Sequence, residues 1–379
     1  MNFNIYKANH SKVDMIEDYI SIFSDIFKSR GISYKISKQL DADSINLVID
    51  EFSDSYYCRK IIDFKDNNPQ SVVIIVATEF IEKKLFVKTF NFFTGNVFDA
   101  AVISAMNVFF RIKSNHLTRY LSIQDFFIFA LYSPFLVFDF LSSTLKYISK
   151  KNKILWPRPL KHVYWLRRFL GLERVIRHVD GIIVSHDMIS NELEKVKECP
   201  LIIGTLYPEI DINNIKKNIF KDKNLFIEIT GTVTQYRVEK INEINDDISK
   251  MQIEKTFGKC VSIPALSFLK NRKRGAYSIH PPQTKLWKYA SPTRIYRALC
   301  HDNNMPILTR NFKQHPIEDI CLMYNRKEVL LNLRKYYIDN TKLHRMIDSK
   351  IYKYMEKALN NNDRIISRLS NQMNQFIIK

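Results

Sequence analysis

Several groups of residues in this 379-residue chain have types and spacings that could do chemistry. Ser291-Pro292-Thr293-Arg294 has the form of a helix start: Ser291 suits the cap, Pro292 suits the first helical position, and the helix would run on through Leu299. Its free amides and dipole, with Thr293 and Arg294 beside them, would make a phosphate site that needs no glycine. His280-Pro281 and His315-Pro316 each offer an imidazole, and His280 lies just upstream of that helix. A general base is best placed at the end of a strand, where a cleft opens in α/β sheets. Three places meet this condition: Asp50 and Glu51 after Ile45–Ile49, Glu79 after Val72–Ala77, and His186 with Asp187 after Gly181–Ser185. Glu51 and Glu79 rank first because each lies between apolar stretches, where partial burial would raise a carboxyl pKa. Every one of these residues also has a plainer reading, as a helix cap, a surface charge or, for His315, a loop residue.

What is missing narrows the chemistry further. Glycine numbers 8, about 2% against a typical ~7%, and neither G-x-G nor G-x-x-x-x-G-K-[ST] occurs. A phosphate would therefore rest on helix N-termini and basic side chains. No D-x-D stands at a strand end, since Asp41-Ala42-Asp43 falls in an early turn, so a metal-free mechanism is expected. Cys58, Cys199, Cys260, Cys300 and Cys321 are scattered without C-x-x-C, which indicates neither a zinc site nor a disulfide framework and fits a reducing cytosol. Met1 to Asp14 lacks the pattern of a secretory signal, so a cytoplasmic protein is expected.

The elements that must position these residues alternate as βαβ units do. Strands are expected at Phe3–Tyr6, Ser33–Ile36, Ile45–Ile49, Val72–Ala77 and Gly181–Ser185, with helices over Val13–Arg30, stopped by Gly31, and from His186 to Val196. The apolar run Val72–Ala77 reads as a strand buried on both faces of a parallel sheet. Asp211–Lys223 is polar, rich in Asn and Lys and without clear apolar periodicity, as a linker would be. A second series follows: strands at Asn224–Thr230, Cys260–Ile263, Ala276–Ile279 and Met305–Thr309, a helix over Arg237–Lys250, and a helical tail from Arg326 to Lys379. The reading is α/β, with two facing Rossmann-like domains. Residues 1–205 form the first domain, 206–223 the linker, 224–340 the second domain and 341–379 terminal helices.

The charge balance, 58 Lys+Arg against 39 Asp+Glu for a net +19, predicts attraction to a polyanion. Phe126–Tyr147 is apolar but interrupted by Pro134 and Asp139, short of the ~20 residues that a spanning helix needs. Leu141–Leu172 then carries eight basic residues and no acidic one. Lys150, Lys151, Lys153, Arg158, Arg167 and Arg168 are interleaved there with Trp156 and Trp165, as in a peripheral contact with anionic lipid on the inner face of a membrane. The stretch at about 112–172 is therefore read as a helical basic-aromatic insertion in the first domain. A solvated basic face is the plainer alternative. Nucleic acid is disfavoured, because no recognised nucleic-acid motif accompanies the charge.

Two motifs carry a family resemblance. IEITGTVTQYR (Ile227–Arg237) resembles the strand that ends in Gly and opens a helix in the donor domain of the GT-B glycosyltransferases. Pro292–Leu308 is similar to the P-[ST]-[KR]-I-Y-x-A-L…P-[IV] unit that binds the sugar nucleotide in that family. The resemblance implies a metal-independent transferase with a nucleotide sugar as co-substrate and no other cofactor. Its donor would be held by Gly231, Thr232, Arg237, Ser291, Thr293 and Arg294, with His280 beside the leaving phosphate. An imidazole there can donate a hydrogen bond or a proton as negative charge develops. The acceptor would be a glycan or lipid-linked molecule, as in assembly of bacterial surface polysaccharide. Many retaining members have a glutamate where this chain has Arg297, so the stereochemical outcome stays open. His-Pro pairs near a leaving phosphate also resemble those of CDP-polyol phosphotransferases of wall-polymer type, which keeps phosphoryl-unit transfer as an alternative. A non-catalytic basic binding protein is the rival from another class.

Overall fold

A computed structural model describes residues 2–7, 13–49, 55–78, 172, 175–193, 201–230, 235–251, 258–263, 274–281, 291–309, 315–324 and 327–377. Six strands form the first sheet: β1 (Asn2–Tyr6), β2 (Ser33–Ser37), β3 (Ile45–Ile49), β4 (Val72–Ala77), β5 (Gly181–Val184) and β6 (Leu201–Thr205). Five form the second: β7 (Lys223–Thr230), β8 (Gly258–Ile263), β9 (Arg274–Ile279), β10 (Met305–Leu308) and β11 (Leu322–Met323). The orders are β2-β1-β3-β4-β5-β6 and β11-β10-β9-β7-β8, and every pairing is parallel. In both sheets the first strand lies between the second and the third. Chain direction across the sheet therefore reverses beside β1 and beside β7, and this is where doubly wound folds open a crevice at their carboxyl edge.

The helices among the described residues are α1 (Val13–Ser29), α2 (Ser55–Asn67), α3 (Asp187–Leu193), α4 (Ile212–Asn218), α5 (Gln235–Lys250), α6 (Pro292–Cys300), α7 (Lys327–Ile338) and α8 (Asn340–Ile377). Short 3-10 helices span Ile176–His178 and Pro316–Ile320. The continuous apolar strands are covered on both sides. Val72, Ile74 and Val76 of β4 share one core with Ile20, Phe23 and Phe27 of α1, while Val73, Ile75 and Ala77 share another with Cys58 and Ile61 of α2 and Ile189 of α3. A period of two with apolar residues at every position requires such double burial.

The core on the α1 side runs without a break into the second sheet through Leu206, Ile210, Ile215 and Ile219. The long α8 returns to the first sheet. Its Arg368 Nη1 donates to Ile203 O (2.7 Å), Asn361 Nδ2 to Thr205 O (2.6 Å) and Asn362 Nδ2 to Tyr207 O (2.7 Å). Gly204 has φ +148°, and a Cβ there would sit 3.4 Å from Ile365 of α8, so a glycine serves both the backbone and the packing.

Two stretches hold more structure than the sequence spells out. The polar stretch Asp211–Lys223 contains α4, because Asp211 Oδ1 accepts the amides of Asn213 (2.9 Å) and Asn214 (3.1 Å) and Ile215 anchors the turn in the core. The C-terminal tail is broken between α7 and α8 with no glycine or proline. Asp339 Oδ1 takes the amide of Thr341 (3.0 Å), which starts a new helix. Where a glycine was read as a stop, at Gly31, φ is +63° and Ile32 N donates back to Phe27 O (2.9 Å). A Cβ there meets nothing within 4 Å. Gly31→Ala should therefore cost only the left-handed backbone penalty of about 1 kcal/mol, read as a shifted urea midpoint; an unshifted midpoint would mean that the turn relaxes freely.

Candidate functional site

Of the residues singled out around the donor, Arg237, His280, Ser291, Thr293 and Arg294 are among the described residues of the second lobe. β9 ends at Ile279, and His280 extends its ladder by one bond, N–H to Ile307 O of β10 (2.9 Å). The imidazole is buried, and its Nε2 lies 2.8 Å from Ser278 Oγ on the same face of the strand. Burial lowers its pKa to about 4, so at neutral pH it is an uncharged ring. It can donate or accept a hydrogen bond there, but it is not a cation.

α6 begins as expected, with Pro292 in its first turn, and its opening differs in one detail. Ser291 does not cap the helix with its side chain; its Oγ pairs with Thr293 Oγ1 at 2.8 Å. Thr293 is buried and Arg294 half-buried. Arg237, on the first turns of α5, is fully buried inside the C-terminal lobe. Gly231, Thr232, Glu51, Glu79 and the basic-aromatic residues Lys150, Lys151, Lys153, Trp156, Arg158, Trp165, Arg167 and Arg168 lie outside the described residues. Asp41-Ala42-Asp43 is a turn held by its own groups: Asp41 accepts from Asp43 N (3.1 Å) and Ser44 Oγ (2.7 Å). The Lys35 ammonium and these bonds keep the Asp41 pKa at about 2.

The α6 helix is also the bridge between the lobes. Arg297 sets Nε and Nη2 on Asp18 Oδ1 of α1, at 2.8 and 2.7 Å. Tyr296 OH donates to Asp25 Oδ2 (2.7 Å), with Ser21 Oγ 3.4 Å away. Burial pushes the Asp18 carboxyl pKa up, against the lowering pull of Arg297. Arg297 thus spends its guanidinium on the contact between lobes.

A second junction joins the carboxyl edges of both sheets. His186 follows β5, and its ring centroid is 5.9 Å from that of His315, which opens the 3-10 helix after β10. Tyr207 stacks edge-on against His315 at 4.7 Å, and Tyr354 of α8 lies beyond it at 6.5 Å. His315 Nδ1 accepts the Ile317 amide (3.2 Å), which leaves Nε2 to donate to Leu206 O at 3.4 Å. Burial lowers this histidine too, to about 4. The sequence offers His186 as a possible base and His315 as an imidazole or, more plainly, a loop residue; the fold makes the two neighbours. Ser185 Oγ and Tyr19 OH both donate to Thr78 O (3.1 Å each) and secure the same edge of the first sheet.

No family model matches the chain, and no curated protein matches it. Among solved structures, the apo structure of UGT2 from Phytolacca americana is similar at 9% identity and a TM-score of 0.34, over 98% of this chain and 99% of that one. At that score the likeness carries no inference, so fold class rests on the two parallel sheets. The protein is α/β, with two Rossmann-like lobes.

The residues that sequence missed are those joining the lobes. Asp18 and Asp25 read only as the polar positions of an amphipathic helix, and Tyr207 follows a strand without any motif. Among the described residues, no group of three or more His, Cys, Asp or Glu is arranged to hold a metal ion, and no helix is long and apolar enough to cross a membrane.

Proposed function

We propose that this protein is a GT-B glycosyltransferase that moves a sugar from a nucleotide-activated donor to a glycan or lipid-linked acceptor without a metal. The C-terminal lobe would take the donor through Gly231, Thr232, Arg237, Ser291, Thr293 and Arg294, and the N-terminal lobe would take the acceptor. The observation that carries this reading is the meeting of two carboxyl edges: the segments leaving β5 and β10 bring His186 and His315 to 5.9 Å. Two parallel sheets joined in this way hold ligands between them at those edges.

The chemistry follows from the charges available. Direct transfer needs a base for the acceptor hydroxyl, for which Glu51 and Glu79 are the candidates, and compensation of the leaving phosphate. The α6 amides and Arg294 suit that compensation, since backbone donors and a guanidinium match phosphate oxygens. A neutral His280 adds a hydrogen bond to the departing oxygen at no charge cost. The basic-aromatic stretch with Lys150, Lys151 and Lys153 would bring the enzyme to an anionic membrane surface that carries the acceptor.

The test is thermal stabilisation by UDP-, GDP-, CMP- and CDP-linked ligands. One class should raise the unfolding midpoint, since a ligand at a hundred times its Kd stabilises by about 2.7 kcal/mol. Arg294→Ala should abolish the rise while leaving the unliganded midpoint in place. No response to any nucleotide, with binding to polyanions that falls steeply with salt, would favour a non-catalytic basic protein instead.

A further inference from the structure

The C-terminal lobe has a cavity of about 400 Å³ between the 3-10 helix Pro316–Ile320, β11 and α8. None of His280, Ser291, Thr293 or Arg294 lines it. Its volume lies within the ~300–1,000 Å³ of small-molecule sites. One wall is lysine: Lys350, Lys353 and Lys357 stand at i, i+3 and i+7 of α8, on a single face of the helix.

Those lysines are poorly compensated by the protein. Among the described residues, Lys350 Nζ reaches only the carbonyl of Cys321, at 3.5 Å, and no carboxylate pairs with Lys353 or Lys357. Of the two acidic residues in the lining, Glu318 is buried and accepts the His315 amide (3.2 Å), whereas Asp319 is exposed. Like charges three or four apart on a helix repel one another, and a bound dianion would turn that repulsion into attraction. The floor is rigid, because the buried Tyr354 donates its hydroxyl to Pro208 O at 2.7 Å. Met323 and Pro316 supply apolar surface beside the charges.

We propose that this cavity binds a small soluble phosphate monoester carried on a polyhydroxylated molecule. The phosphate would lie among Lys350, Lys353 and Lys357, and the hydroxyls would donate to Asp319. This inference stands apart from the glycosyltransferase reading, because it uses none of the residues assigned there to donor or acceptor.

The experiment is calorimetric titration of the full chain with glucose 1-phosphate, with glucose in a parallel titration. Glucose 1-phosphate should bind saturably and glucose should not. The double variant Lys353→Glu/Lys357→Glu alters exposed side chains, so its unliganded unfolding midpoint should be unchanged while its Kd rises at least about tenfold. Arg294→Ala should bind as the parent does, which separates this cavity from the donor site. The proposal is overturned by absence of saturable binding, by equal affinity for glucose, by an unaffected double variant, or by loss in Arg294→Ala. Competition by phosphatidic acid vesicles would overturn the soluble-ligand assignment, since it would place the phosphate on a lipid headgroup.

Discussion

Glu228→Ala should remove about 3–5 kcal/mol of stability from the C-terminal lobe, the loss expected when one partner of a buried ion pair is deleted. Glu228 lies in β7, next to the middle strand of the second sheet, with no solvent exposure. Arg274 grips it through Nη2 (2.6 Å) and Nε (3.1 Å), the Gly275 amide donates to Oε2 (2.8 Å), and Asn304 Nδ2 donates to Oε1 (3.0 Å). Deleting the carboxylate strands three donors in or near the core, and the remaining partner of Arg274, Asp302 at 3.1 Å, satisfies only part of the guanidinium. Glu228→Gln keeps an acceptor for the amides and loses the charge pair, so its loss should be smaller, about 1–3 kcal/mol. Both are read by urea denaturation at neutral pH. An alanine variant within 1 kcal/mol of the parent would show that water replaces the carboxylate without cost.

The second large effect is acid sensitivity centred on two histidines. His280 and His315 are buried as neutral rings with pKa near 4, while the unfolded chain titrates them at 6.5. Between those values the unfolded state binds more protons than the native one, so stability must fall as pH falls. Their contribution is complete above pH 6.5 and is lost progressively toward pH 4. It amounts to about 3 kcal/mol per histidine at pH 4. Asp41, with its pKa near 2, acts only below this window. Denaturation curves at pH 7, 6, 5 and 4 should therefore decline steeply, and His280→Asn and His315→Asn should each flatten the decline by about half. A variant as acid-sensitive as the parent would mean that its histidine already meets water in the native state. The same neutrality bears on the proposed catalysis: His280 should leave no inflection near pH 6.5 in an activity profile.

Local signals settled much of this protein. The run VVIIVA is continuous, apolar and almost wholly β-branched, and such a segment fits a strand covered on both faces, so a buried parallel strand followed from sequence. Pro292 after Ser291 announced α6, and Gly31 announced the end of α1, because each exploits a backbone preference confined to one or two residues. Tertiary structure decided what those elements meet. Arg297 and Asp18 lie 279 residues apart, and neither carries any mark of the other in its surroundings along the chain. His315 looked like a loop residue until the turn after β10 was folded against the end of β5. Glu228, within an apolar strand, required a partner, yet only strand order could bring Arg274 and Asn304 to it. The physical reason is that helix and strand period, caps and turns are paid over a few residues, whereas contacts between lobes depend on which surfaces pack. The entropy of closing a loop grows too slowly with its length to favour near partners over remote ones.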